Sequence, residues 1–288
     1  MLSNSPNIAR IRQSRSGSGG LKYGVPIEVR RTIRNLTPSE FDEVDRLVMP
    51  LAYAAQNALG RLWDESVYES ELAGLLEAAG VPEVHRQVPL IVRHDTFEKV
   101  YRLDLVVCHA IYELKAVQEL ASEHDAQVFH YAMLVEVNHI KLLNFRPPKV
   151  RGLLRYNAVL GRARRAPRWH DREWNPITPR CHDLRQRLGE LLADWGTHLS
   201  PRLYAEALVV FCGGEVACVQ RVPVMHNGRR LGSHHLASHA EGLAFLVTAF
   251  PDPERQTRHI EHLRRLTGRH AIQWMNLDRD NIHLVTVR

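Results

Sequence analysis

The chain has 288 residues, 44% of them hydrophobic and 24% charged, which excludes a disordered protein and leaves room for one large or two modest domains. Its longest apolar runs, such as Leu208-Val209-Val210-Phe211, fall far short of the roughly 18–20 residues that a bilayer demands, so an integral membrane protein is excluded. A net charge of +6 permits a polyanionic partner, and four cysteines without a Cys-x-x-Cys pair argue against a zinc ribbon, an iron–sulfur cluster or a disulfide scaffold and point to a reducing, cytoplasmic setting.

The first twenty residues hold five serines, three glycines and three arginines and no acidic residue, so residues 1–26 read as a disordered basic arm. Order begins with a basic strand near Ile27 to Ile33. Thr37-Pro38-Ser39-Glu40 combines a capping hydroxyl, an N-terminal proline and a carboxylate at the positive end of a dipole, which predicts a helix start. Apolar spacing of three and four carries that helix to Leu59 and a second through Leu76 to Gly80. Val88 to Val92, Val100 to Val107 and Ile111 to Val117 then read as strands, the last two forming a hairpin. A helix over about 123–135, a strand over 140–145 and another near 150–156 complete an α+β unit over 27–160.

From Arg146 to Arg168 the bases Arg146, Lys149, Arg151, Arg155, Arg162, Arg164, Arg165 and Arg168 occur without a carboxylate, and residues 161–176 read as a basic linker. Arg146, Lys149, Arg162, Arg164, Arg165 and Arg168 are candidates for gripping phosphates, with Tyr156 or Trp169 for base stacking. Beyond the linker the pattern restarts over 177–288. Leu203-Tyr204-Ala205-Glu206-Ala207-Leu208 echoes Val67-Tyr68-Glu69-Ser70-Glu71-Leu72, and Gln220-Arg221-Val222-Pro223-Val224 echoes Arg86-Gln87-Val88-Pro89-Leu90. Echoes in preserved order near a 130-residue spacing predict an internal duplication.

The sharpest chemistry lies in Tyr101-Arg102-Leu103-Asp104-Leu105 and Ile111-Tyr112-Glu113-Leu114-Lys115. Strand alternation sends Glu113 and Lys115 to one face, and a two-residue turn at Cys108-His109 sets Asp104 across from Glu113. Facing carboxylates repel unless a divalent cation neutralises them, and such a cation can activate a water beside a phosphate while the Lys115 ammonium stabilises developing charge. Exposed edge strands also carry Glu and Lys, but these strands are otherwise apolar. Gln127 and Tyr131 share a face of the later helix, where Gln127 orients Lys115 or binds substrate and Tyr131 either packs or contacts substrate. His124 and Asp125 read as helix-start groups, and the zinc reading of His234, His235 and His239 is set aside for lack of ligand spacing.

These segments resemble the GxxExxY proteins, a bacterial group in the PD-(D/E)XK nuclease superfamily. The resemblance covers about Val48 to Tyr156 through Leu59-Gly60, Glu65-Ser66-Val67-Tyr68, Arg86-Gln87-Val88-Pro89-Leu90, Tyr101 to Leu105, Glu113-Leu114-Lys115-Ala116-Val117, Asp125-Ala126-Gln127 with Tyr131, and Leu142-Leu143-Asn144-Phe145. Leu62 stands where the family motif opens with glycine. Taken with the internal duplication, the resemblance leads to an expectation of two tandem PD-(D/E)XK nuclease-like α+β units, each a small mixed sheet flanked by helices. It further implies a Mg²⁺- or Mn²⁺-dependent nuclease acting on DNA or RNA, with Asp104, Glu113 and Glu65 as metal ligands and Lys115 and Gln127 as catalytic partners. Tyr68, one turn from Glu65, is either a substrate contact or a core ring. The second unit reads as degenerate, since the counterpart of Asp104 falls near His235, those of Glu113 and Lys115 near Ala244 and Leu246, and that of Glu65 at Pro201. The expected partners are nucleic acid and a second copy of the chain, with no membrane. The alternative is a catalytically inactive nucleic-acid-binding or scaffold protein that keeps the fold.

Overall fold

A computed structural model describes residues 25–288. The basic arm expected over 1–26 therefore lies, through residue 24, outside the described residues. Among them, no helix is long and apolar enough to cross a membrane. The chain divides into two compact units, with the change at Gly161–Arg162, and residues 94–97 cluster with the second.

The first unit opens with β1 (Ile27–Val29) and α1 (Pro38–Leu59). The predicted helix start is a full capping box: Thr37 Oγ1 accepts from the Glu40 amide and the Glu40 carboxylate accepts from the Thr37 amide. Two otherwise orphaned donors are satisfied this way. Gly60 ends α1 at φ +78°, where a Cβ would strain the backbone. The unit continues with α2 (Glu65–Ala78), β2 (Val84–His94), β3 (Phe97–Val107), β4 (Ala110–Lys115), α3 (Ser122–Val135), β5 (His139–Asn144) and β6 (Arg151–Tyr156).

The sheet runs β1-β2-β3-β4-β5-β6. Strands β3 and β4 are antiparallel through the predicted two-residue turn, with Leu105 opposite Tyr112 and Val107 opposite Ala110. Cys108 and His109 take φ of +45° and +73°, as a twist-matched hairpin turn requires. Strand β5 lies parallel to β4, joined through α3, and β6 returns antiparallel to β5. Leu105, Val107, Tyr112 and Leu114 pack beneath α1 and α2 with Val48, Tyr68, Leu72 and Leu76. Alternation therefore turns Asp104, Glu113 and Lys115 to the opposite face.

In the second unit a 3-10 turn (Gly161–Arg165) and β7 (Arg168–Glu173) occupy most of the segment expected as linker. Then follow α4 (Pro179–Trp195), α5 (Pro201–Phe211), α6 (Glu215–Cys218), β8 (Val219–His226), β9 (Arg229–Ala240), β10 (Leu243–Thr248), α7 (Pro253–Leu266), β11 (Ala271–Asp278) and β12 (Asn281–Val287). The sheet order is β7-β12-β11-β10-β9-β8, with β10 and β11 parallel around α7 and the β8–β9, β9–β10 and β11–β12 pairs antiparallel. Both units are thus mixed α+β, each with a six-stranded sheet.

Candidate active site

The Leu105–Tyr112 register extends one step to bring Asp104 opposite Glu113. Glu113 and Lys115 are 2% and 7% exposed, so this is a buried charged pair with a half-buried carboxylate beside it. Lys115 Nζ donates to Glu113 Oε1 at 2.7 Å, and Gln127 Nε2 donates to the same oxygen at 2.7 Å. The other oxygen, Glu113 Oε2, is buried without a hydrogen-bond partner. An unpaired carboxylate oxygen in a dry site is costly, and a cation is the partner that its lone pairs fit.

Asp104 Oδ2 accepts from the Leu114 amide at 2.9 Å, and Oδ1 lies 3.5 Å from Gln87 Nε2. Burial pushes the Asp104 carboxyl up to about 6 against the pull of Lys115 and the Leu114 amide. Burial, reinforced by the charge of Asp104, pushes Glu113 up to about 8 against the attraction of Lys115. Burial disfavours the Lys115 ammonium, but Glu113, Glu65 and Asp104 outweigh it and hold it protonated above its ordinary range. Two acids that resist ionisation beside a fixed cation are a site waiting for more positive charge.

Glu65 starts α2, and its Oε1 accepts from the Ala116 amide at 3.3 Å while Oε2 stands 3.9 Å from Lys115 Nζ. The structure therefore brings Asp104, Glu113, Lys115, Glu65 and Gln127 together. Gln127 holds Glu113 where the sequence suggested Lys115 or substrate, and it also donates to Tyr131 Oη at 3.1 Å. Tyr131 packs edge-on against Tyr101, with ring centroids 5.8 Å apart.

Tyr68 is a core residue rather than a substrate contact. It is fully buried, stacks on Phe145 at 4.6 Å and gives its hydroxyl to Gly60 O. Arg146 lies at the C-terminal end of β5, where its Nε donates to Ala116 O at 3.1 Å, and Lys149 is exposed. Arg164 corrects the phosphate-contact expectation in the second unit. It is wholly buried, with Nε donating to Thr197 O and Nη2 to Trp195 O, so its guanidinium serves the last carbonyl of α4 and one just beyond its cap. Arg165 and Arg168 are exposed, and Arg162 lies in the 3-10 turn. His124 Nδ1 accepts from the Ala121 amide and Asp125 pairs with Arg155, in keeping with helix-start roles.

Two participants escaped sequence reasoning. Glu69, 3% exposed on α2, accepts from Arg86 Nε at 2.8 Å and from Gln87 Nε2. Gln87 holds φ +49° inside β2, a left-handed step that swings its amide between Glu69 and Asp104. The signal for Glu69 was its i+4 spacing from Glu65 on one helix face.

Residues 42–155 match the family model of the PD-(D/E)XK nuclease superfamily. No curated protein and no solved structure matches the chain. The superfamily segment contains every residue of the cluster, from Glu65 to Gln127, and ends before the 3-10 turn. The likeness is to the superfamily; the match does not single out the GxxExxY group.

Among the described residues, no group of three or more His, Cys, Asp or Glu side chains is arranged to hold a metal ion. The donor set nevertheless fits a hard cation. Mg²⁺ keeps several waters and is commonly held by one or two carboxylates, and here Asp104 and Glu113 oppose one another with Glu113 Oε2 unpartnered. The face supplies hard oxygen ligands without thiolate or imidazole, which favours Mg²⁺ or Mn²⁺ over zinc.

Proposed function

We propose that the first unit is a Mg²⁺- or Mn²⁺-dependent nuclease that hydrolyses phosphodiester bonds of DNA or RNA. The observation that carries the reading is the buried, unpartnered Glu113 Oε2 beside Asp104 and Lys115, on a segment that matches the nuclease superfamily. Asp104 and Glu113 would hold the cation, with Glu65 at the open edge as accessory ligand. When bound, a divalent cation there supplies charge neutralisation for the phosphate and a water of lowered pKa. Lys115 keeps a full positive charge where negative charge grows on the phosphoryl oxygens, and Gln127 fixes the Glu113 carboxylate so that its second oxygen stays turned toward the cation.

The second unit, in this proposal, is a duplicated copy that has lost the chemistry. Matched devices support it. Tyr204 donates to Gly196 O as Tyr68 does to Gly60 O, each across eight residues. Asn276 brackets both backbone groups of Phe250 as Asn144 brackets those of Val117. Counting back two residues pairs Lys115 with Thr248 and Glu113 with Leu246, two positions beyond the sequence alignment, and leaves Pro201 at the place of Glu65.

The test is cleavage of single- and double-stranded DNA and RNA by the purified chain, with Mn²⁺ and with EDTA. Cleavage should need the metal and fall by at least about 100-fold in Asp104→Ala and in Lys115→Ala, the scale of losing one transition-state charge partner. Nucleic-acid binding without turnover would instead favour the inactive-scaffold alternative, which Leu62, 83% exposed in place of the motif glycine, keeps in play.

A further inference from the structure

A phosphodiester chain is a polyanion, and the site it must reach carries the carboxylates of Glu65, Glu69, Asp104 and Glu113. Lys115 is buried and already shared with Glu113. The cations that face incoming substrate must therefore come from the rim. Two guanidiniums stand there: Arg102 reaches Gln87 O, and Arg86 shares the Glu69 carboxylate with the Gln87 amide.

Arg86 is fixed by two bonds, Nε to Glu69 Oε1 at 2.8 Å and Nη1 to Ser70 Oγ at 3.1 Å, yet its side chain stays 40% exposed. That exposure leaves the guanidinium donors not spent on Glu69 and Ser70 open to solvent. Arg102 precedes Asp104 by two residues on β3 and so projects from the same face. It is exposed, and its Nη1 reaches Gln87 O at 3.4 Å, a long contact that leaves most of its five donors to solvent. It is committed to no carboxylate among the described residues. Gln87 completes the linkage, since its amide bridges Glu69 and Asp104. Glu113 Oε2, buried and unpartnered on a residue only 2% exposed, independently marks the face as built for a ligand.

We propose that Arg102 and Arg86 grip the phosphate backbone of the nucleic acid at the Asp104–Glu113 site, and that Glu69 is the positioning residue that fixes Arg86 and Gln87. The planar guanidinium fork suits two phosphate oxygens at once, which an ammonium cannot match. The proposal rests on the nuclease reading for its substrate. It adds a binding role to residues outside the metal-centred cluster.

The experiment measures binding of the full chain to a labelled 20-base duplex and single strand by fluorescence anisotropy across a salt series, without metal and with Ca²⁺, and cleavage kinetics with Mn²⁺. Arg102→Gln and Arg86→Gln should each weaken binding of every sequence and lower the magnitude of the log affinity against log salt slope by about one. In cleavage they should raise KM more than they lower kcat, and Arg102→Lys should restore part of the slope but less of KM. Glu69→Gln should mimic Arg86→Gln and add little to it in the double variant. Arg46→Gln, an exposed arginine on α1, is the comparison. If Arg102→Gln matches Arg46→Gln in slope and KM, the grip is overturned. If the parent binds but does not cleave, the nuclease reading falls while the slopes still decide the grip; if the parent neither binds nor cleaves, both fall.

Discussion

Glu113 concentrates the conflict that defines the site, because one of its oxygens serves Lys115 and Gln127 while the other is buried without a partner. Its carboxyl and that of Asp104 are raised to about 8 and about 6, above the 4.5 and 3.8 expected in an unfolded chain. The native state therefore binds more protons than the unfolded state between pH ~4 and ~8, so the metal-free protein loses stability as pH rises through that window. A melting series from pH 5 to pH 9 should show that decline, and Glu113→Gln should flatten it. Metal affinity should run the other way, rising with pH as the same carboxyls ionise. Gln127→Leu removes a donor from Glu113 without touching the cation position, and should cost about 10- to 100-fold in metal affinity or activity, as lost orienting partners of metal ligands do.

At the scale of the elements, the Thr37–Glu40 capping box opens α1, whose buried Val48, Ala52 and Ala55 cover the sheet face opposite the site. Thr37→Ala should lower unfolding stability by about 1 kcal/mol in a urea titration, with activity unchanged. That box, the Cys108-His109 turn and the Asp104–Glu113 pairing were all legible in sequence, because each depends on neighbours a few residues apart or on strict strand alternation. Glu69 and Gln87 were not. Glu69 sits among Glu65, Glu71 and Glu77 on α2 and reads as one more solvated acid until the fold buries it. The left-handed step at Gln87 has no glycine or asparagine to announce it.

For the molecule as a whole, the match to the nuclease superfamily lies within the first unit, and in the second, proposed above as its duplicate, β8-β9-β10-β11-β12 follow the order of β2-β3-β4-β5-β6 while β7 joins the edge opposite to that of β1. The basic stretch from Arg146 to Arg168 divides by burial. Arg164→Ala should destabilise the chain by about 2–3 kcal/mol, since it strands the buried carbonyls of Thr197 and Trp195. Arg168→Gln should leave the melt unchanged and lower the nucleic-acid salt slope by up to about one. All of this depends on whether the opposed carboxylates are a cation site, and calorimetric titration of Mn²⁺ into the full chain at pH 8 asks that directly. The account predicts saturable binding that releases protons, absent in Asp104→Ala and in Glu113→Gln variants whose fold is verified by circular dichroism. Binding of equal strength and stoichiometry in the wild type and both variants, or no binding in the wild type, would contradict it.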